Sequence, residues 1–185
     1  GDETAVNGCW KKGPGMDLFS RVNEQLHAKI IAEDLGLITP EVRTLLRESG
    51  YPGMKVLAFA FTPGTDSDYL PFHYDRNCVC YTGTHDNETL TGWLHSLSKT
   101  ELSYVKSYTR SRTIEDCVHN VLALAWESPA DTAIAQIQDF IGLGNEARMN
   151  TPSTPSGNWR WRARKEQMNA RLAAKIHSLT KLYWR

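Results

Sequence analysis

Apolar positions along this chain follow two periods. Lys29-Ile30-Ile31-Ala32, Met54 to Phe61, Cys78-Val79-Cys80-Tyr81 and Thr132 to Phe140 are short apolar runs bounded by polar or turn-forming residues, and they read as strands. Between them the spacing turns helical. Leu18, Phe19, Val22 and Leu26 share one face of a helix from Met16 to His27, and Val42, Leu45 and Leu46 share a face of the next. That second helix has clear punctuation: Thr39, Pro40 and Glu41 at its start and Gly50 at its stop. Helical spacing also runs from Thr89 to Leu97, over roughly 101–109 behind Thr100, and over roughly 114–126 behind Thr113, where Val118, Val121, Leu122, Leu124 and Ala125 recur. A basic amphipathic helix over roughly 163–181 closes the chain. The order is strand-helix four times, with a helical insert over about 98–128 before the last strand. Such alternation predicts an α/β fold of parallel βαβ units in a single domain, residues 1–185, with too few units to close an eight-stranded barrel.

Composition narrows the function classes. The 185 residues are 41% hydrophobic and 23% charged, ordinary for a globular domain with a real core. Lys plus Arg and Asp plus Glu are 21 each, so no net field favours nucleic acid or an anionic membrane. Trp159-Arg160-Trp161-Arg162 interleaves aromatic and basic residues, a pattern that single-stranded nucleic acid also uses, but the neutral charge and lack of any nucleic-acid motif argue against it. No apolar run reaches the ~18 residues of a membrane span, and no signal peptide is visible. Cys78 and Cys80 share one strand face and no Cys-x-x-Cys spacing exists, so Cys9, Cys78, Cys80 and Cys117 read as reduced thiols of a cytoplasmic protein. No metal and no cofactor is expected. The opening Gly1-Asp2-Glu3-Thr4 lacks an initiator Met, which reads as a processed or truncated product.

Two acidic pairings carry the candidate chemistry. Glu33-Asp34 follows the first strand candidate, and His85-Asp86 sits in Thr82-Gly83-Thr84-His85-Asp86-Asn87-Glu88, between the strand ending at Tyr81 and the helix beyond. Loops at carboxyl ends of strands build active sites in βα-repeat folds. Carboxylates from neighbouring strand ends suit glycosidic bond cleavage, where one group protonates the leaving oxygen while another attacks or stabilises the sugar cation. The plainer duty for Asp34 and Asp86 is to cap the helices after them. Six tryptophans are many for this length, and aromatic faces stack on sugars. Trp93 and Trp126 fall on helical apolar faces and read as core; Trp10 and Trp159 fall in Gly- and Asn-rich loops and are the better ligand candidates.

Several separate blocks resemble the 4-α-glucanotransferases (amylomaltases, or disproportionating enzymes). They are Ile31-Ala32-Glu33-Asp34-Leu35-Gly36, Thr39-Pro40-Glu41-Val42, Gly50-Tyr51-Pro52-Gly53-Met54-Lys55-Val56-Leu57 and Tyr81-Thr82-Gly83-Thr84-His85-Asp86-Asn87. Gly142-Leu143-Gly144-Asn145-Glu146-Ala147-Arg148-Met149-Asn150 with Gly157-Asn158-Trp159, and Gly8-Cys9-Trp10 with Gly13-Pro14-Gly15, extend the likeness over nearly the whole chain. Leu70-Pro71-Phe72-His73-Tyr74 departs from the family's Leu-Pro-His-Asn-Tyr, and Glu88 stands where Asp is commoner.

The resemblance implies a retaining transglycosylase on a (β/α)8 barrel, which passes a piece of an α-1,4-glucan to the 4-hydroxyl of another glucan. Glu33 then matches the general acid/base, protonated at the first step by virtue of burial. Asp86 matches the carboxylate that stabilises the transition state, and His85 the neighbour that hydrogen-bonds the sugar. Asn87, Asp34, Trp10, Arg148, Asn150 and Trp159 match substrate-binding positions. Spacing alone would make Asp86 the nucleophile; the family pattern instead places that Asp in an Arg-x-Asp-His strand upstream of Gly1-Asp2-Glu3-Thr4-Ala5. The expected fold is therefore the C-terminal half of a TIM barrel, its last four βα units, catalytically incompetent alone, its open edges covered by self-association or by pairing with the N-terminal half of the barrel. The rival functions are a non-catalytic glucan-binding or assembly fragment and an α-glucan hydrolase. Expected partners are α-1,4-glucans such as maltooligosaccharides, starch or glycogen-derived chains, with no nucleic acid and no membrane.

Overall fold

The computed structural model describes residue Thr4, residues 6–9 and residues 11–185. These form two compact units, one through Pro52 and one from Gly53 onward.

The first unit is built on two helices, α1 (Met16–Gln25) and α2 (Pro40–Ser49). Phe19 of α1 meets the Tyr51 ring edge-on at 5.5 Å, and the Tyr51 hydroxyl donates to Asn23 Oδ1 at 2.6 Å. None of its described side chains is fully buried. Gly50 ends α2 at φ 69°, a left-handed conformation that a residue with a Cβ adopts at a cost. Thr39 does not cap α2 with its hydroxyl; that group bonds the Glu41 carboxylate and holds its pKa down. Lys29 to Ala32 forms no strand among the described residues, where the Ala32 N–H to the Pro52 carbonyl does not extend into a ladder.

The second unit centres on a parallel sheet in the order β1-β2-β3: β1 (Gly53–Val56), β2 (Cys78–Tyr81) and β3 (Thr132–Ile134). Val79 of β2 lies opposite Met54 on one side and Thr132 on the other. Cys78, Val79 and Cys80 are buried in succession, as expected of a central parallel strand covered on both faces. Three helices connect β2 to β3: α3 (Leu90–Ser96), α4 (Lys99–Tyr108) and α5 (Ile114–Glu127). Thr89 caps α3, and Ser98 rather than Thr100 caps α4, because Ser98 and Glu101 form a reciprocal capping box. Thr113 and Asp116 do the same for α5. Leu90 and Leu94, Val105, and Cys117, Val121, Leu122 and Ala125 from these helices fill the core against Leu57, Phe61 and Cys80.

The apolar runs around β1 and β3 each contain more than a strand. Residues Leu57–Phe59 turn into a 3-10 helix, and after Ile134 the chain forms α6 (Ile137–Ile141). The closing helix, α7 (Ala170–Leu182), starts at the Asn169 cap, later than its amphipathic pattern suggests. Arg185 anchors its far end to α5 through bonds from its guanidinium to the Trp126, Ser128 and Ala130 carbonyls.

Candidate functional site

The loop between β2 and α3 carries His85 and Asp86. The sequence Thr84 to Asn87 closes on itself: Asn87 Oδ1 accepts from the Thr84 amide at 2.8 Å and from its hydroxyl at 2.9 Å. The Thr84 hydroxyl oxygen in turn accepts the Asp86 amide at 3.3 Å. Gly83 at the loop's base is buried, and a Cβ there would press on Asn87 and on the Gln136 carboxamide at 3.3 Å each. The result is a tight turn that presents His85 and Asp86 outward, their side chains 57% and 49% exposed. Asp86 does not cap α3, since Thr89 does.

A second segment, residues 145–150, closes on this loop. It opens with a short 3-10 helix, Asn145–Ala147. Asn145 Nδ2 donates to Glu88 Oε1 at 2.5 Å, and the Ser96 hydroxyl donates to Glu88 Oε2 at 3.0 Å. Gly92 in α3 makes room for this contact, for a Cβ there would overlap the Asn145 carboxamide. Arg148 donates from Nη2 to the Asp86 carbonyl at 2.7 Å and from Nε to the Asn150 carbonyl at 2.8 Å. Asn150 donates from Nδ2 to Asp86 Oδ1 at 2.6 Å and from its backbone amide to the His85 carbonyl at 3.1 Å.

A third segment supplies an aromatic wall. The Trp159 ring lies 5.1 Å from the His85 imidazole, tilted by 39°, and remains 52% exposed. Its backbone amide donates to the Met149 carbonyl at 2.7 Å, and it sits at φ 61°, a left-handed conformation uncommon for a large side chain. Asn158 fixes the preceding turn by accepting the Thr151 amide and donating to Thr154.

Beneath the loop lies a buried carboxylate that pattern reading passed over. Asp139, in α6, is fully buried; its Oδ2 accepts the Thr82 hydroxyl at 2.8 Å and its Oδ1 accepts the Leu90 amide at 2.7 Å. Burial raises its pKa to about 6, partly offset by those two bonds. Gln136, at the carboxyl end of β3, donates weakly to the Glu88 carbonyl and leaves its own buried Oε1 without a partner.

The structure thus brings together His85, Asp86, Asn87, Arg148, Asn150 and Trp159 at the carboxyl ends of β2 and β3. Glu33 and Asp34 lie in the first unit, between α1 and α2; Glu33 is exposed, so the burial expected of a proton-donating Glu33 is not supplied by these residues, and Asp34 is half-buried. Trp10 lies outside the described residues. His73, displaced from its expected position, bonds Asp66 at 2.6 Å.

Chemically, Asp86 Oδ1 takes both the Asn150 bond and a 3.3 Å contact from His85 Nε2. That leaves Oδ2 to accept a ligand hydroxyl or to oppose a developing positive charge. Trp159 offers a flat apolar face next to it. Among the described residues, no group of three or more His, Cys, Asp or Glu side chains is placed to hold a metal ion, and no helix is long and apolar enough to cross a membrane.

Comparison with known proteins converges on one family. The profile of Glyco_hydro_77, 4-alpha-glucanotransferase, matches residues 1–168. A 4-alpha-glucanotransferase of Clostridium butyricum is 45% identical over 187 residues, which cover 100% of this chain and 38% of that protein. One from Thermus thermophilus is 40% identical over 184 residues, covering 95% of this chain and 37% of the relative. The solved structure of amylomaltase from Streptococcus agalactiae in complex with acarbose superposes with a TM-score of 0.92 at 36% identity, over 100% of this chain and 38% of that one. The chain therefore spans under two-fifths of the length of the curated relatives it matches.

Proposed function

Because the chain belongs to the 4-alpha-glucanotransferase family, we propose that it is the C-terminal half of that enzyme's catalytic domain, contributing the last βα units of a (β/α)8 barrel. In this reading the whole enzyme moves a segment of an α-1,4-glucan to the 4-hydroxyl of an acceptor glucan or glucose. Glu33 donates a proton to the leaving glycosidic oxygen while an Asp outside this chain forms the glucosyl ester; Glu33 then takes the proton of the attacking 4-hydroxyl as the ester bond breaks. Asp86 opposes the positive charge that builds on the sugar ring in both steps, and His85 hydrogen-bonds the sugar beside it. Arg148 and Asn150 hold Asp86 in place, and Trp159 carries the apolar face of a sugar ring.

The observation that carries this reading is the Asp86 carboxylate held by Asn150, flanked by His85 and open on its second oxygen. A sugar cation needs such a fixed anion more than it needs a neutral hydrogen-bond donor. The acarbose bound by the Streptococcus agalactiae relative supports an α-glucan ligand here. The buried thiols of Cys78, Cys80 and Cys117, none of them in a disulfide among the described residues, support a reducing compartment, the cytoplasm.

The exposure of Glu33 and the lack of any fully buried described side chain before Gly53 favour a second statement: these 185 residues alone bind glucan without turning it over. Cover for that unit comes from the rest of the barrel, or from a second copy. Maltotriose disproportionation by the purified chain tests both. The expected result is no glucose and no longer maltodextrin from the chain alone, with both products appearing when the upstream half is supplied. Steady turnover by the chain alone, lost on Glu33→Gln, would place the nucleophile within these residues. Free glucose without longer products from the reconstituted barrel would favour a hydrolase.

A further inference from the structure

We infer that the buried pair Gln138–Asp139 is a positioning device that sets Asn150 against Asp86. The two side chains are neighbours in α6 and nearly inaccessible, at 4% and 0% exposure, yet both bond groups outside their own helix. Asp139 holds the Asp86 loop by both ends. Thr82 is the residue after β2 and Leu90 the first of α3, so one carboxylate fixes the span of the seven residues between them. Gln138 holds the opposite jaw: its Nε2 donates to the Ala147 carbonyl at 3.1 Å, one residue before Arg148 and three before Asn150. One helix turn thus anchors both segments whose contact orients the Asp86 carboxylate.

The cost of this arrangement argues for a purpose beyond packing. A buried carboxylate without a cationic partner is expensive, and an apolar side chain of similar size would fill the same space more cheaply. What an apolar residue cannot do is accept two donors from different elements at once. The Thr82 hydroxyl can rotate to another acceptor, but the Leu90 amide cannot, so Asp139 is the group that fixes the start of α3 relative to β2. The inference deepens the proposed function, resting on the reading that the Asp86 loop serves the glucan, but its geometric core is tested separately.

The experiment is amide hydrogen exchange on the whole 185-residue chain, read at the Asn150 amide, which bonds the His85 carbonyl, and at the Val121 and Leu122 amides in the core helix α5. Thr82→Val and Gln138→Met each remove one anchor while keeping the volume. Each is expected to speed Asn150 exchange about tenfold and leave Val121 and Leu122 unchanged, with Thr82→Ser restoring the slow rate. Asp139→Asn is included, and if it fails to fold the other two variants still decide the matter. Asn150 exchange that is unchanged, or that rises only in step with Val121 and Leu122, would overturn the inference. Acarbose titration of the same samples separates the two readings. Binding by the wild-type chain that weakens at least fivefold in the variants supports both. A wild-type chain that binds no acarbose sinks the glucan-binding reading of the isolated chain, while the exchange rates still decide whether Gln138 and Asp139 position the loop.

Discussion

Asn150 grips the His85–Asp86 dipeptide twice, with its carboxamide on Asp86 Oδ1 at 2.6 Å and its backbone amide on the His85 carbonyl at 3.1 Å. The first bond is to an ionised acceptor, a class worth roughly 1.5–3 kcal/mol. Under the proposed function, Asn150→Ala in the reconstituted barrel should therefore lower kcat/KM for maltotriose by about 10- to 100-fold, while the backbone bond survives. Asn150→Asp should do more, because it replaces the donor to Asp86 Oδ1 with a second carboxylate that cannot donate when ionised. An Asn150→Ala enzyme with wild-type kcat/KM would remove Asn150 from the site.

Gly92 is expected to be indispensable because of Asn145 and for no reason of its own helix. In an isolated helix, Gly→Ala stabilises by about 1 kcal/mol. Here the added methyl overlaps the Asn145 carboxamide, which is bonded to Glu88. Gly92→Ala should therefore destabilise the chain by about 1–3 kcal/mol in urea unfolding. In an Asn145→Ala background the same change should turn neutral or stabilising, since the clash is gone. Additive effects in the double-mutant cycle would sink the explanation.

The sequence made the central strand and several helix boundaries readable because each rests on local chemistry. Cys78 to Tyr81 is a continuous apolar run between polar turns, Gly50 is the residue a left-handed helix end prefers, and Thr113 stands three residues before Asp116. What failed were choices settled by neighbours. Lys29 to Ala32 has the composition of a strand, and among the described residues it forms no ladder beyond the Ala32 N–H to Pro52 carbonyl bond. The run Thr132 to Phe140 hides a three-residue strand and a five-residue helix, and apolar residues in pieces that short have no period to read. The same run concealed Asp139. An acid and an amide inside an otherwise apolar stretch were the available signal, since a buried charge implies specific partners, but those partners, Thr82 and Leu90, are far away in sequence. The candidate pair His85-Asp86 stands out in sequence because His-Asp after a strand is a local pattern; its clasp by Arg148 and Asn150 joins residues more than sixty positions apart.

Asp139 should give the fold a distinctive pH dependence. Its carboxyl has a folded pKa raised from 3.8 to about 6, chiefly by burial, so the folded state holds the proton more tightly than the unfolded state. The sign follows: this group's contribution to stability is fully present below pH 3.8 and is lost as pH rises through about 6. Two pKa units correspond to roughly 3 kcal/mol. Exposed carboxylates whose pKa is held down by caps, such as Asp116 and Glu101, pull the other way, so the effect has to be read as a difference. Asp139→Asn removes the titration. Relative to that variant, wild type should lose stability between about pH 4 and pH 6 and run parallel above it. Parallel curves across the whole range, measured by urea unfolding, would show that Asp139 is not held as a raised carboxyl.

Arg185 should contribute more to stability than its exposed position suggests. Its Nε donates to the Trp126 carbonyl at 2.6 Å and its Nη1 to the Ala130 carbonyl at 2.8 Å, with Nη2 on Ser128 between them. Trp126 and Ser128 close the carboxyl end of α5, where carbonyls lack helical partners and the helix dipole favours a cation. The residue also joins α7 to α5 beside the Trp126–Thr180 bond, so its loss loosens a helix–helix contact as well as an end cap. Arg185→Ala is expected to cost about 1–3 kcal/mol, the range for losing bonds from a charged group. Arg185→Lys should recover less than half of that, because an ammonium keeps the charge but cannot span three carbonyls with one planar fork. Full recovery by Lys in thermal unfolding would show that charge at the helix end, and not the forked geometry, accounts for the effect; no loss in either variant would show that solvent satisfies these carbonyls equally well.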